Sequence, residues 1–214
     1  MSVHKRIKQH FGRFGFFWYM LGWTVLKITG WRAVGEERIP DAPRIVGVYA
    51  PHTSGMDVFF MLAYSCVTRR KANFLVKSEA NRGILGRMLA LFGAVFIERR
   101  GKLGFVRQAA DAMRQSGHMY LLISPEGTRK KVDYWRTGFY YIALEAGAPM
   151  ALTYADYAKK EVGVGLILYP TGDIEADMAK IRAFYANVTP RYPERTGPVH
   201  VKSEAQSGTA GDVA

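Results

Sequence analysis

The chain has 214 residues, 49% of them hydrophobic and 22% charged, which suits one globular domain with a sizeable core and excludes wholesale disorder. A formal net charge of +12 points to a polyanionic partner: nucleic acid, an anionic membrane or a phosphorylated substrate. The single cysteine, Cys66, excludes an internal disulfide, and the scattered histidines lack the spacing of a structural zinc site.

The chain opens with Lys5, Arg6 and Lys8, followed by an apolar, aromatic run from Phe14 to Leu26. No small-residue cleavage site follows, so the run does not read as a secretory signal. At about 13 residues it is shorter than the ~20 that span a bilayer. Arg13 and Lys27 bracket it, and Phe16, Phe17, Trp18, Tyr19 and Trp23 crowd it. Residues 1–32 therefore read as a helical segment lying in the headgroup region of an anionic membrane. The plainer alternative is a helix packed on the core.

Residues 33–195 alternate in pattern. Strands are expected at Arg44–Ala50, Asn73–Val76, Ala94–Ile97, Met119–Ile123, Met150–Tyr154 and Val164–Leu168. Helices are expected at Val58–Val67, Gly83–Phe92, Leu103–Gln115 and Gly138–Ala146, and from Asp173, as N-cap, to Tyr185. Such alternation predicts a single α/β domain, a mostly parallel mixed sheet flanked by helices. Residues 196–214 read as a disordered tail, small, polar and aperiodic from Ser203 onward.

Two segments that directly follow predicted strands carry the chemistry, and ligands in such sheets bind beyond the strands' carboxyl ends. The first is Pro51-His52-Thr53-Ser54-Gly55-Met56-Asp57. On a continuous helix His52 and Asp57 would point about 140° apart. They pair if His52 sits in the loop and Asp57 in the first helical turn, and Ser54 with Asp57 three positions later resembles a capping box that puts them there. Asp57 then holds one imidazole tautomer and the other nitrogen acts as a general base. The same residues also read without chemistry, Asp57 as a cap and His52 as a loop residue.

The second segment is Ser124-Pro125-Glu126-Gly127-Thr128-Arg129. Pro125 and Gly127 shape a turn, and Arg129 offers a planar fork of donors for a phosphate. Glu126 suits orienting that arginine or binding a substrate hydroxyl; a solvated basic loop is the bland alternative. Arg99 and Arg100, ending a predicted strand before Gly101, form a further candidate anion contact.

His52-x4-Asp57, Gly93-x2-Phe96-x2-Arg99, Pro125-Glu126-Gly127-Thr128-Arg129 and Ala148-Pro149-Met150 occur in that order. They resemble the four successive blocks of the glycerolipid acyltransferases, over roughly residues 45 to 155. The resemblance implies that His52 deprotonates an acceptor hydroxyl with Asp57 orienting it. It also implies that the acceptor attacks a fatty-acyl thioester of coenzyme A or acyl carrier protein, with no other cofactor and no metal. Arg99, Glu126, Gly127, Thr128 and Arg129 would bind the acceptor phosphate, and Lys77 and Pro149 would belong to the acyl-donor or acyl-chain site. The implied acceptor is a lysophospholipid, foremost 1-acyl-glycerol-3-phosphate, and the implied place is the cytoplasmic face of the cell membrane. One departure stands out: Gly55-Met56 replaces a bulkier pair such as Asn-Trp in the compact bacterial branch this chain resembles.

The residues favour direct transfer over a covalent intermediate. There is no Gly-x-Ser-x-Gly elbow, and Cys66 falls mid-helix in an apolar stretch, as a core residue does. Nucleic acid is disfavoured, because no recognised motif is present and the aromatics cluster near the N-terminus. The alternatives are an acyltransferase acting on a lyso-amino-acid lipid or glycolipid, and a non-catalytic protein that binds anionic membranes.

Overall fold

A computed structural model describes residues 15–91, 93–98 and 102–202. Seven strands form one sheet in the order β1 (Arg32–Val34), β7 (Glu161–Leu168), β6 (Met150–Asp156), β2 (Arg44–Tyr49), β5 (Met119–Ile123), β3 (Ala72–Lys77) and β4 (Ala94–Ile97). All neighbours are parallel except β6 and β7, which form an antiparallel hairpin. The helices are α1 (Gly15–Thr29), α2 (Gly55–Thr68), α3 (Gly83–Leu91), α4 (Lys102–Gln115), α5 (Gly138–Ala146) and α6 (Ile174–Tyr185). This is the α/β, mostly parallel sheet that the alternating pattern implies.

Central strand β2 is apolar on both sides, as a parallel strand covered by two helical layers must be. Val46 and Val48 join Leu121, Met150 and Leu152 on one face, beneath Met113 of α4, Phe139 and Ile142 of α5 and Ile181 of α6. Ile45 and Tyr49 face the other way, toward Leu26 of α1 and Phe60, Met61 and Tyr64 of α2. Phe139 is fully buried, and truncating such a side chain to Ala costs about 3–5 kcal/mol.

Helix α1 lies on α2. A Cβ on Gly22 would fall 2.7 Å from both the Ala63 carbonyl oxygen and Cys66 Cβ, so only glycine permits this approach. Packing on the core therefore accounts for one side of the aromatic segment, through Gly15, Gly22 and Leu26. The other side stays open: Phe16, Phe17, Met20, Leu21 and Ile28 are exposed.

Strand β1 has no counterpart in the sequence pattern. It is three residues long and mostly exposed, and it exists because it pairs with β7, with Arg32 and Glu161 bonded at 2.8 Å. Residues 196–202, placed in the tail by sequence, pack on the domain. His200 O accepts the Trp135 N–H at 2.8 Å, and Val201 is buried. Residues 203–214 lie outside the described residues.

Candidate active site

Strands β2 and β5 are parallel neighbours, with Val48 opposite Ile123, so the loops that follow them leave the sheet side by side. The first loop passes through a cis Ala50–Pro51 peptide into α2. Ser54 caps that helix in extended geometry, accepting the Met56 N–H, and Asp57 completes the capping box. Asp57 Oδ2 accepts the backbone N–H groups of Thr53 and Ser54, each at 2.8 Å, and lies 3.2 Å from His52 Nδ1. Asp57 therefore both caps the helix and orients the histidine. It is 1% exposed, whereas the His52 side chain is 17% exposed. The acceptor oxygen facing Nδ1 places the proton there and leaves the Nε2 lone pair free to take a proton.

The second loop is tied to the first by a carboxylate. Glu126 Oε1 accepts the His52 backbone N–H at 3.1 Å, and Oε2 accepts the Ser124 hydroxyl at 2.7 Å. Burial pushes the Glu126 carboxyl above its ordinary value, against the opposing pull of these hydrogen bonds. Glu126 is thus buried and braces the His52 loop through both carboxylate oxygens.

The cationic groups lie on the outside of the same turn. Gly127 adopts φ +65°, and a Cβ there would meet Arg136 Nε at 3.3 Å. Arg136 is held by its backbone N–H on Pro125 O at 2.9 Å. A Cβ on Gly55 would lie 3.4 Å from Arg129 Nη1, so the Arg129 guanidinium stands against the first turn of α2, whose amide groups carry partial positive charge. Arg129 and Arg136 are both exposed. Thr128 Oγ1 accepts the Lys130 N–H at 3.3 Å, a contact that shapes the turn.

Not every expected residue joins this cluster. Lys77 ends β3 with its side chain exposed; it shares the edge of the sheet with His52, but β5 stands between their strands. Pro149 precedes β6, and its carbonyl accepts the Val46 N–H of β2. That sets it level with Ile45, four strand residues and about 13 Å from the level of Tyr49, where the His52 loop begins. Arg99 lies outside the described residues.

Two contributors escape sequence reasoning. Arg136 lies between the third and fourth of the four blocks and belongs to neither. Tyr157, in the β6–β7 turn, donates to Asp57 Oδ1 at 2.7 Å, and nothing in its neighbourhood in the chain signals that contact. Among the described residues no three of His, Cys, Asp and Glu converge as metal ligands would.

A His–Asp pair at the carboxyl edge of an α/β sheet, with guanidinium groups beside it, sets a proton acceptor next to cationic donors. Residues 31–153 match the family model described as Acyltransferase, which is more than half of the chain, and the chain belongs to that family. The fold is similar to the crystal structure of the 1-acyl-sn-glycerophosphate (LPA) acyltransferase, PlsC, from Thermotoga maritima. The TM-score is 0.54 at 18% identity, covering 78% of this chain and 74% of that one. Among curated proteins, none matches the chain.

Proposed function

We propose that the protein moves a fatty acyl group from a thioester of coenzyme A or acyl carrier protein to the hydroxyl of a lysophospholipid. The preferred acceptor is 1-acyl-glycerol-3-phosphate, giving phosphatidic acid. The observation that carries this reading is the His52–Asp57 contact at 3.2 Å with the Arg129 guanidinium against Gly55 of the same helix turn. His52 Nε2 takes the acceptor proton as its oxygen attacks the thioester carbonyl. The tetrahedral adduct then expels the thiolate, which takes the proton from the imidazolium. No bond to the protein forms.

A base so placed contributes about 10²–10⁴-fold, and holding the two substrates together contributes up to about 7–11 kcal/mol. Arg129 and Arg136 suit the acceptor phosphate as planar donor forks. Glu126 acts through His52, not on the substrate.

The acceptor is a membrane lipid, and the exposed apolar side chains support work at a membrane surface. Val58, Phe59 and Leu62 of α2 are exposed, and the first follows Asp57 directly. On α1, Lys27 Nζ stands 4.5 Å over the Trp23 ring, and Arg69 stands 4.7 Å over Tyr19, a pairing suited to the headgroup layer. No helix among the described residues is long and apolar enough to cross a membrane. The protein so read is peripheral, on the cytoplasmic face where anionic lipid and acyl thioesters meet.

Thiol release from palmitoyl-coenzyme A tests the reaction, with wild type and His52→Ala, against lysophosphatidic acid, glycerol 3-phosphate, a lysophospholipid and a lyso-amino-acid lipid. Release that depends on lysophosphatidic acid and is lost in the variant is expected. Release that persists in His52→Ala overturns the base assignment. A preference for the lyso-amino-acid lipid overturns the phosphate acceptor. No release in the wild type, with acyl carrier protein thioesters as well, overturns the reaction.

A further inference from the structure

We propose that Tyr157 is a positioning residue of the His52–Asp57 pair, aiming the carboxylate at the imidazole from the side that the family match does not cover; the inference rests on reading His52 as the base. Asp57 divides its donors between its two oxygens. Oδ2 takes the Thr53 and Ser54 N–H groups and faces His52 Nδ1, whereas Oδ1 takes the Tyr157 hydroxyl at 2.7 Å. The partners of Oδ2 hold one side of the carboxylate. The Tyr157 donor on Oδ1 holds the other side, so rotation about Cβ–Cγ is opposed at both oxygens and the direction in which Oδ2 meets the ring is fixed more tightly. Tyr157 also withdraws negative charge from Asp57 and so moderates how strongly Asp57 favours the imidazolium.

Tyr157 is itself held rigidly. Its backbone N–H donates to Thr189 O at 2.9 Å. Its ring stands edge-on to Trp31 and Phe60, at centroid distances of 4.9 and 6.2 Å. Burial first, and the neighbouring Asp57 second, push the phenol well above its ordinary value, so it stays a donor throughout the working pH range. The chain that follows Thr189 returns to the same loop: the Tyr192 N–H donates to Thr53 Oγ1 and Arg195 Nη1 to Thr53 O, each at 3.3 Å. Tyr157, Tyr192 and Arg195 all lie beyond residue 153, where the family match ends. The C-terminal part of this chain therefore closes behind the catalytic loop, with Tyr157 as its contact to the reacting pair.

The charged and titratable groups around the pair set the control. Tyr49 packs edge-on to His52 at 5.9 Å, Glu126 accepts the His52 N–H, and Arg195 holds Thr53 O. Arg129 stands at Gly55, and Arg191 interacts with Tyr157. Tyr157→Phe keeps the ring contacts and removes the hydroxyl's bonds to Asp57 and to Arg191. Among the described residues Arg191 is not a partner of Asp57 or His52, so a change in the His52 titration reads the Asp57 bond.

The test follows the His52 titration by NMR of protein labelled with 15N-histidine, alongside acyl-transfer kinetics, in wild type, Tyr157→Phe and protein carrying 3-fluorotyrosine at 157 alone. In Tyr157→Phe the His52 pKa is expected to rise, because Asp57 loses a donor and its charge falls more fully on the imidazole. kcat is expected to fall about tenfold, the scale of one hydrogen bond to a charged group, with KM for both substrates within about twofold. The fluorinated tyrosine, a stronger donor, is expected to restore kcat and lower the His52 pKa. An unchanged His52 titration in both variants overturns the proposal, as does a change confined to KM. If Tyr157→Phe fails to fold, the fluorinated protein decides alone: a lowered His52 pKa supports the proposal and an unchanged one overturns it. Should the wild type transfer no acyl group, the acyltransferase reading fails while the NMR titration still decides the role of Tyr157.

Discussion

Glu126 accepts the backbone N–H of His52 at 3.1 Å, joining two motifs that lie 74 residues apart in the chain. The bond explains why a carboxylate belongs in a turn otherwise suited to anions. The second oxygen of Glu126 is occupied by the Ser124 hydroxyl. The family resemblance implies a phosphate contact for Glu126; in the structure both of its oxygens are engaged by the His52 N–H and the Ser124 hydroxyl.

Glu126→Gln preserves an acceptor for His52 and is expected to keep most activity. Glu126→Ala strands a half-buried N–H and hydroxyl, at a cost of about 1 kcal/mol, and should lower kcat by loosening the His52 loop. The pH dependence has a definite sign. Because burial raises the folded-state value, the stability tied to protonated Glu126 is full below the ordinary carboxylate value and is lost as pH rises through the raised one. Thermal melts from pH 4 to 8 should show wild type losing stability relative to Glu126→Gln as pH rises.

Gly55 controls the room beside Arg129. A Cβ would sit 3.4 Å from Nη1, ordinary contact, so Gly55→Ala should fold normally and change KM for the acceptor little. Gly55→Asn extends further and should push the guanidinium off the helix turn. KM for a phosphate-bearing acceptor is then expected to rise while KM for a phosphate-free one holds. Steady-state kinetics with lysophosphatidic acid and a lyso-amino-acid lipid reads the difference.

The strands and helices from 44 onward were legible because burial imposes period on them. Val46 and Val48 go to one face and Ile45 and Tyr49 to the other, and Asp173 caps α6 by accepting the Ala176 N–H. His52 and Asp57 were legible through the capping signature of Ser54. Strand β1 was not, because a three-residue, mostly exposed edge carries no period and depends on β7. Tyr157 was not, because it meets Asp57 across 100 residues through a turn whose position depends on the whole hairpin. The inward direction of Glu126 was hidden too, since the chain order says nothing about which way a turn residue faces.

Asp177 ties α6 to α5 and to the turn at Thr171. It is buried and accepts from the Tyr140 hydroxyl, the Thr171 N–H and the Thr171 hydroxyl at 2.8–3.0 Å. Burial pushes its carboxyl up, but the hydrogen bonds, led by the Thr171 N–H, outweigh it and hold the group below its ordinary value. Its stability contribution is therefore full above the ordinary Asp value of ~3.9 and is lost as pH falls through the lowered one. Asp177→Asn should cost about 1–3 kcal/mol at neutral pH and flatten the acid limb of a denaturant-midpoint profile.

The exposed apolar residues of α1 and α2 should carry membrane attachment by separate shares. Phe16 and Phe17 are 68% and 58% exposed, Phe59 42% and Leu62 49%. Such side chains gain about 1.5–3 kcal/mol each on full burial, and a few of them suffice to hold a basic protein on anionic lipid. Removing residues 1–28 should release most of the protein from phosphatidylglycerol-containing vesicles in a co-sedimentation assay. It also uncovers the α2 surface at Ala63 and Cys66 that Gly22 covers, so the truncation alone confounds attachment with folding. Phe59→Ser with Leu62→Ser avoids that problem, because both side chains already point outward. This pair should weaken vesicle binding and raise KM for a vesicle-borne acceptor, while turnover of a short-chain, water-soluble acceptor stays unchanged. Equal loss with both acceptors would place the two residues in the acyl-chain site instead of on the membrane face.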